Sequence, residues 1–403
     1  MQLPTMTPSP FGLSSARPRV HVAFGSDGYG LAREALSRVD LTVASGARVL
    51  IKPNAGRVAP PGSGINTSPA VVAAVIDAFR EVSAHVSVGD SPIAGVGPLE
   101  ALEASGIAEM VRGRGVPLLD LDERPSVTVT LPEGRAVDRL KVCADLFEHD
   151  LVVSVPVTKT HMHTGVTLAV KNMKGCLWRR SKVTLHMLGP VEGMSEKPLD
   201  IAICDLSKVL RPHLSVIDGM LGMEGLGPSA GVPKALGAVV VGADPFAADA
   251  VACTLMGRRA EDVPHLKLGA QAGHGVIDLG QIDVDPPDFA QYAQPFEGVP
   301  RDLSTNFTNV RVLDENSCSA CQSTLLMFLK RYGPQLLDYF PADGPVTIAI
   351  GKGHVALEPG TLCLGNCTAQ HRADHPFVPG CPPVVTTIHS VLTRGTTKVG
   401  ERR

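Results

Sequence analysis

The feature that most restricts the fold is an alternation of short apolar runs with longer helical patterns over roughly the first 285 residues. Strands that are apolar along their whole length are typical of a parallel sheet covered on both faces. The sequence therefore predicts an α/β domain with a mostly parallel sheet and helices on both faces. The predicted strands are 20–24, 47–51, 85–89, 151–155, 214–218 and 238–242, with helices at 68–82 and 245–257 and an added hairpin at 127–137.

A stretch rich in proline and polar residues, 286–304, predicts a linker to a second and smaller unit. That unit has two strand patterns, at 309–313 and 346–351, and a final helix pattern at 384–395. The N-terminal sequence MQLPTMTPSPFGLSSARP lacks an apolar pattern and suggests a tail. The predicted parts are a disordered tail at 1–17, the α/β domain at 18–290, and a small C-terminal α/β domain at 305–403.

Composition excludes several classes of protein. The net charge of −3 and the pI of about 6.5 argue against nucleic acid as a partner. No apolar run reaches the roughly 18 residues of a membrane-spanning helix, and no secretory signal is evident, so a cytoplasmic location without membrane contact is expected. In a reducing compartment, the nine cysteines need an explanation other than disulfides.

Polar residues directly follow the predicted strands. In an open parallel sheet, ligands bind beyond the carboxyl ends of the strands. Five predicted strands lead into polar or charged groups, which we therefore expect at one edge of the sheet. These groups are Lys52 with Asn54, Asp90, Lys159 with His161, Asp218 with Glu224, and Asp244.

Residues 155–175, VPVTKTHMHTGVTLAVKNMKG, combine lysines, histidines and two glycines where a buried strand ends. Gly165 permits a tight turn, and the pattern then predicts a helix at 164–174 whose N-terminal amides favour an anion. We expect a site for a carboxylate or phosphate. The predicted substrate-binding residues are Lys52, Asn54, Asp90, Lys171, Asn172 and Lys174, and the predicted catalytic residues are Lys159, His161, Asp218 and Glu224.

Two nearby features are open to more than one interpretation. The glycine-rich segment 219–231 lacks the signature of a P-loop or a dinucleotide-binding turn. It is interpreted as a flexible active-site loop that carries Glu224, with an ordinary connecting loop as the alternative. His186 either lines the same pocket or is a histidine of the core.

Five cysteines are concentrated in the last quarter of the chain, namely Cys318, Cys321, Cys363, Cys367 and Cys381. A Cys-x-x-Cys pair joined by two later thiolates can provide four sulfur ligands, which suit zinc or an iron–sulfur cluster. Zinc sites more often have two such pairs, and this chain has one. The pattern therefore favours a single [4Fe-4S] cluster over zinc, with redox-active thiols as a third interpretation.

Six segments, in order, resemble the family of domain of unknown function 362 over residues 18–280. They are ARVLIKPNAG, INTSPAVVAAV, VGDSP, VPVTKTHMHTGVTLAVKNMKG, VIDGMLGMEGLGPSAG and GADPFAADAVA. Members of that family often carry ferredoxin-like clusters. The later GNCTAQHRADHPFVPGCPP resembles the cluster loop in the small subunits of complex-I-type NADH dehydrogenases and nickel–iron hydrogenases. That resemblance implies Cys367 and Cys381 as cluster ligands, with Cys318 and Cys321 completing the set.

Together these features predict an iron–sulfur oxidoreductase that acts on a small anionic substrate, with the cluster beside the cationic crevice. No flavin or nicotinamide fingerprint is evident, so the electrons are expected from an external carrier such as a ferredoxin. One alternative is a dehydratase or isomerase in which the cluster acts as a Lewis acid. Another is a non-enzymatic redox sensor or electron carrier. The sequence does not decide whether the protein is a homodimer.

Overall fold

The computed structural model describes residues 6–12, 16–93, 95–131, 133–298, 307, 309–317, 319–333 and 345–393. The chain divides into two compact units, residues 1–299 and 300–403. Across the described ranges, every helix is too short or too polar to cross a bilayer.

The larger unit contains a long sheet, a separate hairpin and the helices that surround them. Its strands are β1 (Arg19–Phe24), β2 (Arg48–Pro53), β3 (His85–Asp90), β4 (Leu118–Asp120), β5 (Ser126–Thr130), β6 (Arg139–Cys143), β7 (Leu151–Val155), β8 (Val157–His161), β9 (Gly165–Thr167), β10 (Leu214–Glu224), β11 (Val232–Gly242) and β12 (Asp283–Asp285). Its helices are α1 (Gly28–Leu36), α2 (Pro69–Glu81), α3 (Pro98–Ala104), α4 (Ile107–Gly113), α5 (Asp145–Glu148), α6 (Ala169–Asn172), α7 (Ser181–His186), α8 (Pro198–Ser207), α9 (Pro245–Leu255) and α10 (Pro264–Gln271).

The long sheet has the strand order β12-β1-β11-β10-β7-β2-β3-β4, and β8 also pairs with β10 and β9. Neighbours from β10 to β4 are parallel, whereas β11 is antiparallel to both β1 and β10. The predicted mostly parallel α/β fold is confirmed. Because β11 runs the other way, the expectation that Asp244 joins the other polar groups is wrong. Asp244 instead caps α9 by accepting a hydrogen bond from the backbone N–H of Phe246 at 2.8 Å.

Both faces of this sheet are covered, as the apolar strands predicted. Along β2, Leu50 joins the hydrophobic cluster that contains Phe246 of α9. The next residue, Ile51, joins the opposite cluster, which contains Val75 of α2. Successive strand residues point to opposite faces, so an uninterrupted apolar run is what a doubly covered sheet requires.

Residues 6–12 pack against the larger unit, so the prediction of a disordered tail is wrong for this segment. Phe11 is buried, and its ring lies edge-on to Phe79 with 6.2 Å between centroids. The Ser9 hydroxyl donates to the backbone oxygen of His213 at 2.6 Å. One aromatic side chain in a tail that otherwise lacks a pattern is enough to fix the segment on the core.

The segment predicted as a linker also contributes to the larger core. Phe289 and Phe296 are both buried there. The backbone N–H of Phe296 donates to the oxygen of Met256 at 3.0 Å. These two rings anchor residues 289–296 to the surface of the unit that contains α9.

The glycine-rich segment is mostly strand, so its interpretation as a flexible loop is wrong. Residues 219–224 continue β10, which forms a long antiparallel hairpin with β11, and only residues 225–231 connect them. A Cβ on Gly222 would lie 2.2 Å from the backbone oxygen of Thr158 in β8. Glycine at this position therefore allows close approach of a neighbouring strand.

The predicted helix at 164–174 is shorter than expected. Gly165 adopts a φ of +77° and reverses the chain, so β9 pairs antiparallel with β8 before the helix begins. The helix α6 starts only at Ala169, and residues 173–176 form a 3-10 turn. The predicted hairpin near 127–137 is present as β5 and β6, at 126–143.

The smaller unit contains a four-stranded parallel sheet in the order β13-β14-β15-β16. The side chains of Phe328, Ile348, Leu364 and Ile388 share its core. These residues come from strands and from both helices, so the helices cover one face of the sheet. The elements are β13 (Val310–Asp314), α11 (Ser319–Tyr332), β14 (Val346–Ile350), β15 (Leu362–Leu364), β16 (Phe377–Val378) and α12 (Val385–Thr393).

Candidate functional site

The carboxyl ends of β2 and β3 bring Lys52 and Asp90 together in the larger unit. The Lys52 ammonium lies 2.6 Å from Asp90 Oδ1, and both side chains are almost completely buried. Lys52 also donates to Asn172 Oδ1 at 3.1 Å. A Cβ on Gly175 would lie 2.7 Å from Lys52 Nζ, so only glycine leaves room for this ion pair. Three of the predicted binding residues therefore form one contact network.

Lys159 of β8 extends this network toward the loop after β2. Its ammonium donates to Asn54 Oδ1 and to the backbone oxygen of Ile65, both at 2.7 Å. Asn54 in turn donates to Asn172 Oδ1 at 3.3 Å. Burial, with a smaller contribution from the nearby positive charge of Arg57, lowers the pKa of Lys159 to about 7. Lys159 is thus held by neutral acceptors and can exchange a proton near neutral pH.

Lys171 and Lys174 form the other side of the cationic cluster. Lys171 donates to Thr167 Oγ1 at 3.3 Å, and Lys174 Nζ lies 2.6 Å from His186 Nε2. Burial lowers the pKa of Lys174 to about 7, and it holds the pKa of Lys171 well below its usual range. Within the described ranges, Lys159, Lys171 and Lys174 have no carboxylate in ion-pairing distance, unlike Lys52 and Lys182.

The histidines of this segment lie within the same cluster. The Nδ1 atom of His161 accepts a hydrogen bond from the backbone N–H of His163 at 3.1 Å, and the two rings lie 5.4 Å apart. Burial, together with the positive charge of Lys171, holds the pKa of His161 well below its usual range. His186 has the same direction of shift from burial and from Lys174, and its contact with Lys174 places it in the site.

The two predicted catalytic carboxylates both bind backbone amides. Asp218 accepts from Ser68 N at 2.7 Å and from Met220 N at 3.0 Å, so it fixes the residue that precedes α2. Burial raises the pKa of Asp218 to about 6. Glu224, at the end of β10, accepts from the backbone N–H of Glu297 at 2.9 Å. These contacts give both side chains a role in holding the backbone.

Sequence reasoning missed several residues of the site. Arg57 follows Asn54 by three residues, and its charge acts on Lys159. Lys182 of α7 pairs with Asp122 at 3.2 Å. Asp249 of α9 accepts from Ala169 N at 2.7 Å and from Val170 N at 3.0 Å, so it caps α6 from a different helix. The sequence contains a signal for Asp249. A carboxylate within the apolar helix pattern PFAADAVACTL is expected to be buried, and a buried carboxylate needs hydrogen-bond partners.

The smaller unit places its cysteine segments at the carboxyl ends of parallel strands. Cys321 lies in the first turn of α11, which follows β13, whereas Cys367 and Cys381 follow β15 and β16. The loops of the last two are joined by two hydrogen bonds, Asn366 N to Gly380 O and Gly380 N to Asn366 Oδ1, both 2.9 Å. The backbone thus holds the neighbours of Cys367 and Cys381 side by side.

Cys321 reaches the same pair of loops. A Cβ on Gly365 would lie 3.0 Å from Cys321 Sγ and 3.6 Å from the backbone oxygen of Gly380. Cys363 points to the other face of the sheet. Its neighbours in β15, Leu362 and Leu364, enter the core shared with α11, and successive strand residues alternate between the two faces. Of the predicted cluster ligands, Cys321, Cys367 and Cys381 therefore border one corner of the sheet, and Cys318 lies outside the described residues.

No preformed metal centre is present among the described side chains, because no three His, Cys, Asp or Glu residues converge there. The described cysteines form no disulfide with one another. Cys143 and Cys253 are buried in the larger core, and burial raises the pKa of both thiols. Both side chains therefore act as small hydrophobic residues of the core.

The larger unit is thus an α/β domain with a group of largely buried lysines at the carboxyl edge of a mostly parallel sheet. The family model described as "Domain of unknown function (DUF362)" matches residues 49–254, from β2 through most of α9. The chain belongs to this family, as its sequence motifs predicted. It is also similar to the thylakoid-associated protein sll1697 of Synechocystis, with 27% identity over 275 residues, 66% of this chain and 83% of that protein.

Proposed function

We propose that this protein is an iron–sulfur oxidoreductase that reduces or oxidises a small carboxylate or phosphate anion. The observation that carries the proposal is the set of three lysines, Lys159, Lys171 and Lys174, without a carboxylate partner among the described residues. Burial without a carboxylate partner disfavours the charged forms of these lysines, and a bound anion would favour those forms again. A lysine cluster of this kind also suits the stabilisation of negative charge that develops on a carbonyl or enoate during reduction.

The late cysteines of the smaller unit are the proposed ligands of the cluster. Cys321, Cys367 and Cys381 border one corner at the carboxyl edge of its sheet, and glycine at 365 leaves space beside Cys321 Sγ. Cys318, three residues before Cys321, is the proposed fourth ligand. A bound [4Fe-4S] cluster would supply one electron at a time, and the electrons would come from an external carrier such as a ferredoxin.

The proposed roles of the larger unit follow from its contacts. Lys171 and Lys174 bind the anionic group of the substrate. His161, which burial keeps neutral, donates a hydrogen bond from Nε2, because its Nδ1 accepts from the backbone N–H of His163. Lys159 exchanges the proton, because its pKa of about 7 makes both of its forms available near neutral pH. Reduction of a carbonyl to an alcohol consumes two electrons, from two molecules of reduced carrier, and two protons. Lys159 delivers one of these protons, and water supplies the other.

The experiment is anaerobic purification of the full chain, with iron and sulfide analysis and electron paramagnetic resonance of the reduced protein. We expect about four iron and four sulfide per chain and turnover of a 2-oxo acid or an enoate with a reduced low-potential carrier. A colourless preparation loaded with zinc would overturn the cluster. Turnover that continues when the cluster is held oxidised would overturn the redox function.

We further propose a cytoplasmic location. The described helices are unsuited to spanning a bilayer, which supports this location. The related Synechocystis protein is named as thylakoid-associated, and that name gives the alternative of a protein bound to membranes. Fractionation of cells separates the two outcomes, because a cytoplasmic protein remains in the supernatant after membranes are removed at low salt. Recovery with the membranes would contradict this location.

A further inference from the structure

Asp122, which follows β4, connects three segments at the carboxyl edge of the sheet. Its Oδ1 atom accepts from Ser91 Oγ at 2.6 Å, and Ser91 directly follows β3. The same atom accepts from the backbone N–H of Arg179 at 2.9 Å, and Arg179 Nε donates to the backbone oxygen of Asp122 at 2.7 Å. The ammonium of Lys182, in the first turn of α7, lies 3.2 Å from Asp122 Oδ2. One carboxylate thus joins the ends of β3 and β4 to the start of α7.

The contacts of Lys182 are shielded from water. Ser91 and Lys182 are both buried, and Lys182 also donates to Ser91 Oγ and, at 2.7 Å, to the backbone oxygen of Pro92. A buried ammonium is costly unless it is paired and its donors have acceptors. Asp122, Ser91 and Pro92 supply those acceptors. The first turn of α7 is therefore held in one position.

The other end of α7 contacts the lysines of the candidate site. His186 is the last residue of this helix, and its Nε2 atom lies 2.6 Å from Lys174 Nζ. Between the two ends, Leu185 is buried in the hydrophobic core. The helix has six residues and is about 9 Å long, and its backbone hydrogen bonds connect the first turn to the last residues. The position of its first turn therefore sets the position of His186.

We propose that Asp122 is a positioning residue of the candidate site, which fixes the start of α7 and thereby holds His186 against Lys174. Asp122 itself lies outside ion-pairing distance of Lys174, so it acts through the helix. The contact with His186 restricts the side chain of Lys174 before a ligand binds, so less conformational entropy is lost on binding. This proposal rests on the proposed function only in that Lys174 binds the substrate anion.

Two double variants that differ in one functional group test the proposal. Asp122→Ala with Lys182→Met removes the acceptor and the ammonium together, so no buried charge is left unpaired. Asp122→Asn with Lys182→Met is the matched control, because the asparagine oxygen can still accept from Ser91 and from the Arg179 N–H. Circular dichroism and the urea midpoint establish that each protein is folded.

The readout is the titration of His186, followed by NMR of the full-length protein with isotope-labelled histidine. In the wild type, burial and the nearby positive charge of Lys174 hold the pKa of His186 well below its usual range. In the alanine variant, we expect His186 to become solvated and its pKa to rise to about 6.5. In the asparagine variant, its pKa should stay close to that of the wild type. His161, which is held by the backbone of His163 rather than by α7, is the internal control and should not respond.

Two outcomes would overturn the proposal. One is a folded alanine variant in which the pKa of His186 is as low as in the wild type. The other is an asparagine variant in which His186 titrates as it does in the alanine variant, because the acceptor oxygen would then have no part in holding α7. A loss of stability alone produces neither pattern, since the NMR signals report on the folded protein.

Calorimetry with inorganic phosphate and with acetate separates this proposal from the proposed function. Because both variants lack Lys182, they differ only in how well α7 is held. The alanine variant should bind the tighter probe several-fold more weakly than the asparagine variant. If no protein binds either probe but His186 responds as expected, the positioning role of Asp122 stands and the proposed anion site fails. If all the proteins bind an anion equally and His186 does not respond, the outcome is the reverse.

Discussion

The two units place polar residues at the carboxyl ends of parallel strands, but they hold those residues by different means. In the larger unit, Lys52, Asn54 and Lys159 are connected side chain to side chain by hydrogen bonds and an ion pair. In the smaller unit, the loops are held by two hydrogen bonds between Asn366 and Gly380, one between backbone groups and one to the Asn366 side chain, and the described thiols do not converge. The side chains of the first edge are already connected to one another, whereas under the proposed function a metal would have to draw the thiols of the second edge together.

The largest expected effect tests the smaller unit. Cys321→Ser, Cys367→Ser and Cys381→Ser should each abolish the cluster or reduce its iron content severely, since each removes a proposed thiolate ligand. Cys363→Ser is the matched control and should retain the iron, because its side chain points to the other face of the sheet. Iron and sulfide analysis after anaerobic purification measures this. Loss of iron in the Cys363 variant alone would assign the ligands differently.

The next effect tests how much the Lys52–Asp90 ion pair contributes to the stability of the larger unit. Lys52→Met leaves the buried Asp90 carboxylate without its partner, and the free energy of unfolding should fall by about 3–5 kcal/mol. Urea denaturation measures the change. Lys208→Met, which removes one partner of an exposed ion pair with Glu133, is the control and should have almost no effect. A Lys52 variant with the stability of the wild type would show that the ion pair with Asp90 does not stabilise this edge of the sheet.

A smaller effect concerns the cap that α9 provides for α6. Asp249→Ala leaves the N–H groups of Ala169 and Val170 without their acceptor, so unfolding should become easier by about 1–3 kcal/mol. Anion affinity should fall several-fold, because the helix that carries Lys171 is fixed less well. Asp249→Asn keeps one acceptor oxygen and should retain part of both. Unchanged anion affinity in the folded alanine variant would show that the cap does not position Lys171.

The last comparison concerns the pH dependence of anion affinity. Burial lowers the pKa of Lys159 and Lys174 to about 7, and a bound anion favours their protonated forms. Affinity should therefore fall above pH 7, by about tenfold per pH unit for each proton taken up on binding. Calorimetry in buffers with different ionisation enthalpies counts those protons. Affinity that is constant between pH 7 and 9 would mean that neither lysine changes protonation on binding.

The same lysines have the opposite effect on the stability of the unliganded protein. Between about pH 8 and 10, they are neutral in the folded chain, whereas in the unfolded chain their usual pKa of 10.5 keeps them protonated. The unfolded state then binds more protons, so their contribution to the free energy of unfolding rises with pH. Urea midpoints of the wild type and of Lys159→Met at pH 8 and 10 isolate this contribution. A smaller rise in the variant is expected.

The fold and much of the site could be predicted because their signals are local. A strand buried on both faces is apolar throughout, so Leu50 and Ile51 indicate a covered sheet without any knowledge of their partners. The segment 155–175 concentrates its lysines within a few residues of a strand end. Charged residues at that position in a parallel sheet meet at one edge whatever the remaining fold.

The errors arose where a long-range partner decides the structure. Asp244 follows a run as apolar as the others, but β11 pairs in a hairpin with β10 and ends at the opposite edge. Phe11 lies in a tail without periodicity, and its contact with Phe79, together with the hydrogen bond from Ser9 to His213, fixes that tail. Asp218 follows a strand pattern like the other polar residues, but its oxygens are used by backbone amides.

The sequence by itself determined the α/β class, the lysine-rich segment and the group of late cysteines, because each depends on residues that are close along the chain. Only the tertiary structure decided which lysines have carboxylate partners, that Asp249 caps α6 from another helix, and that Cys363 faces away from Cys321. These are properties of pairs far apart in sequence. Their energies depend on burial and distance, which the order of residues does not specify.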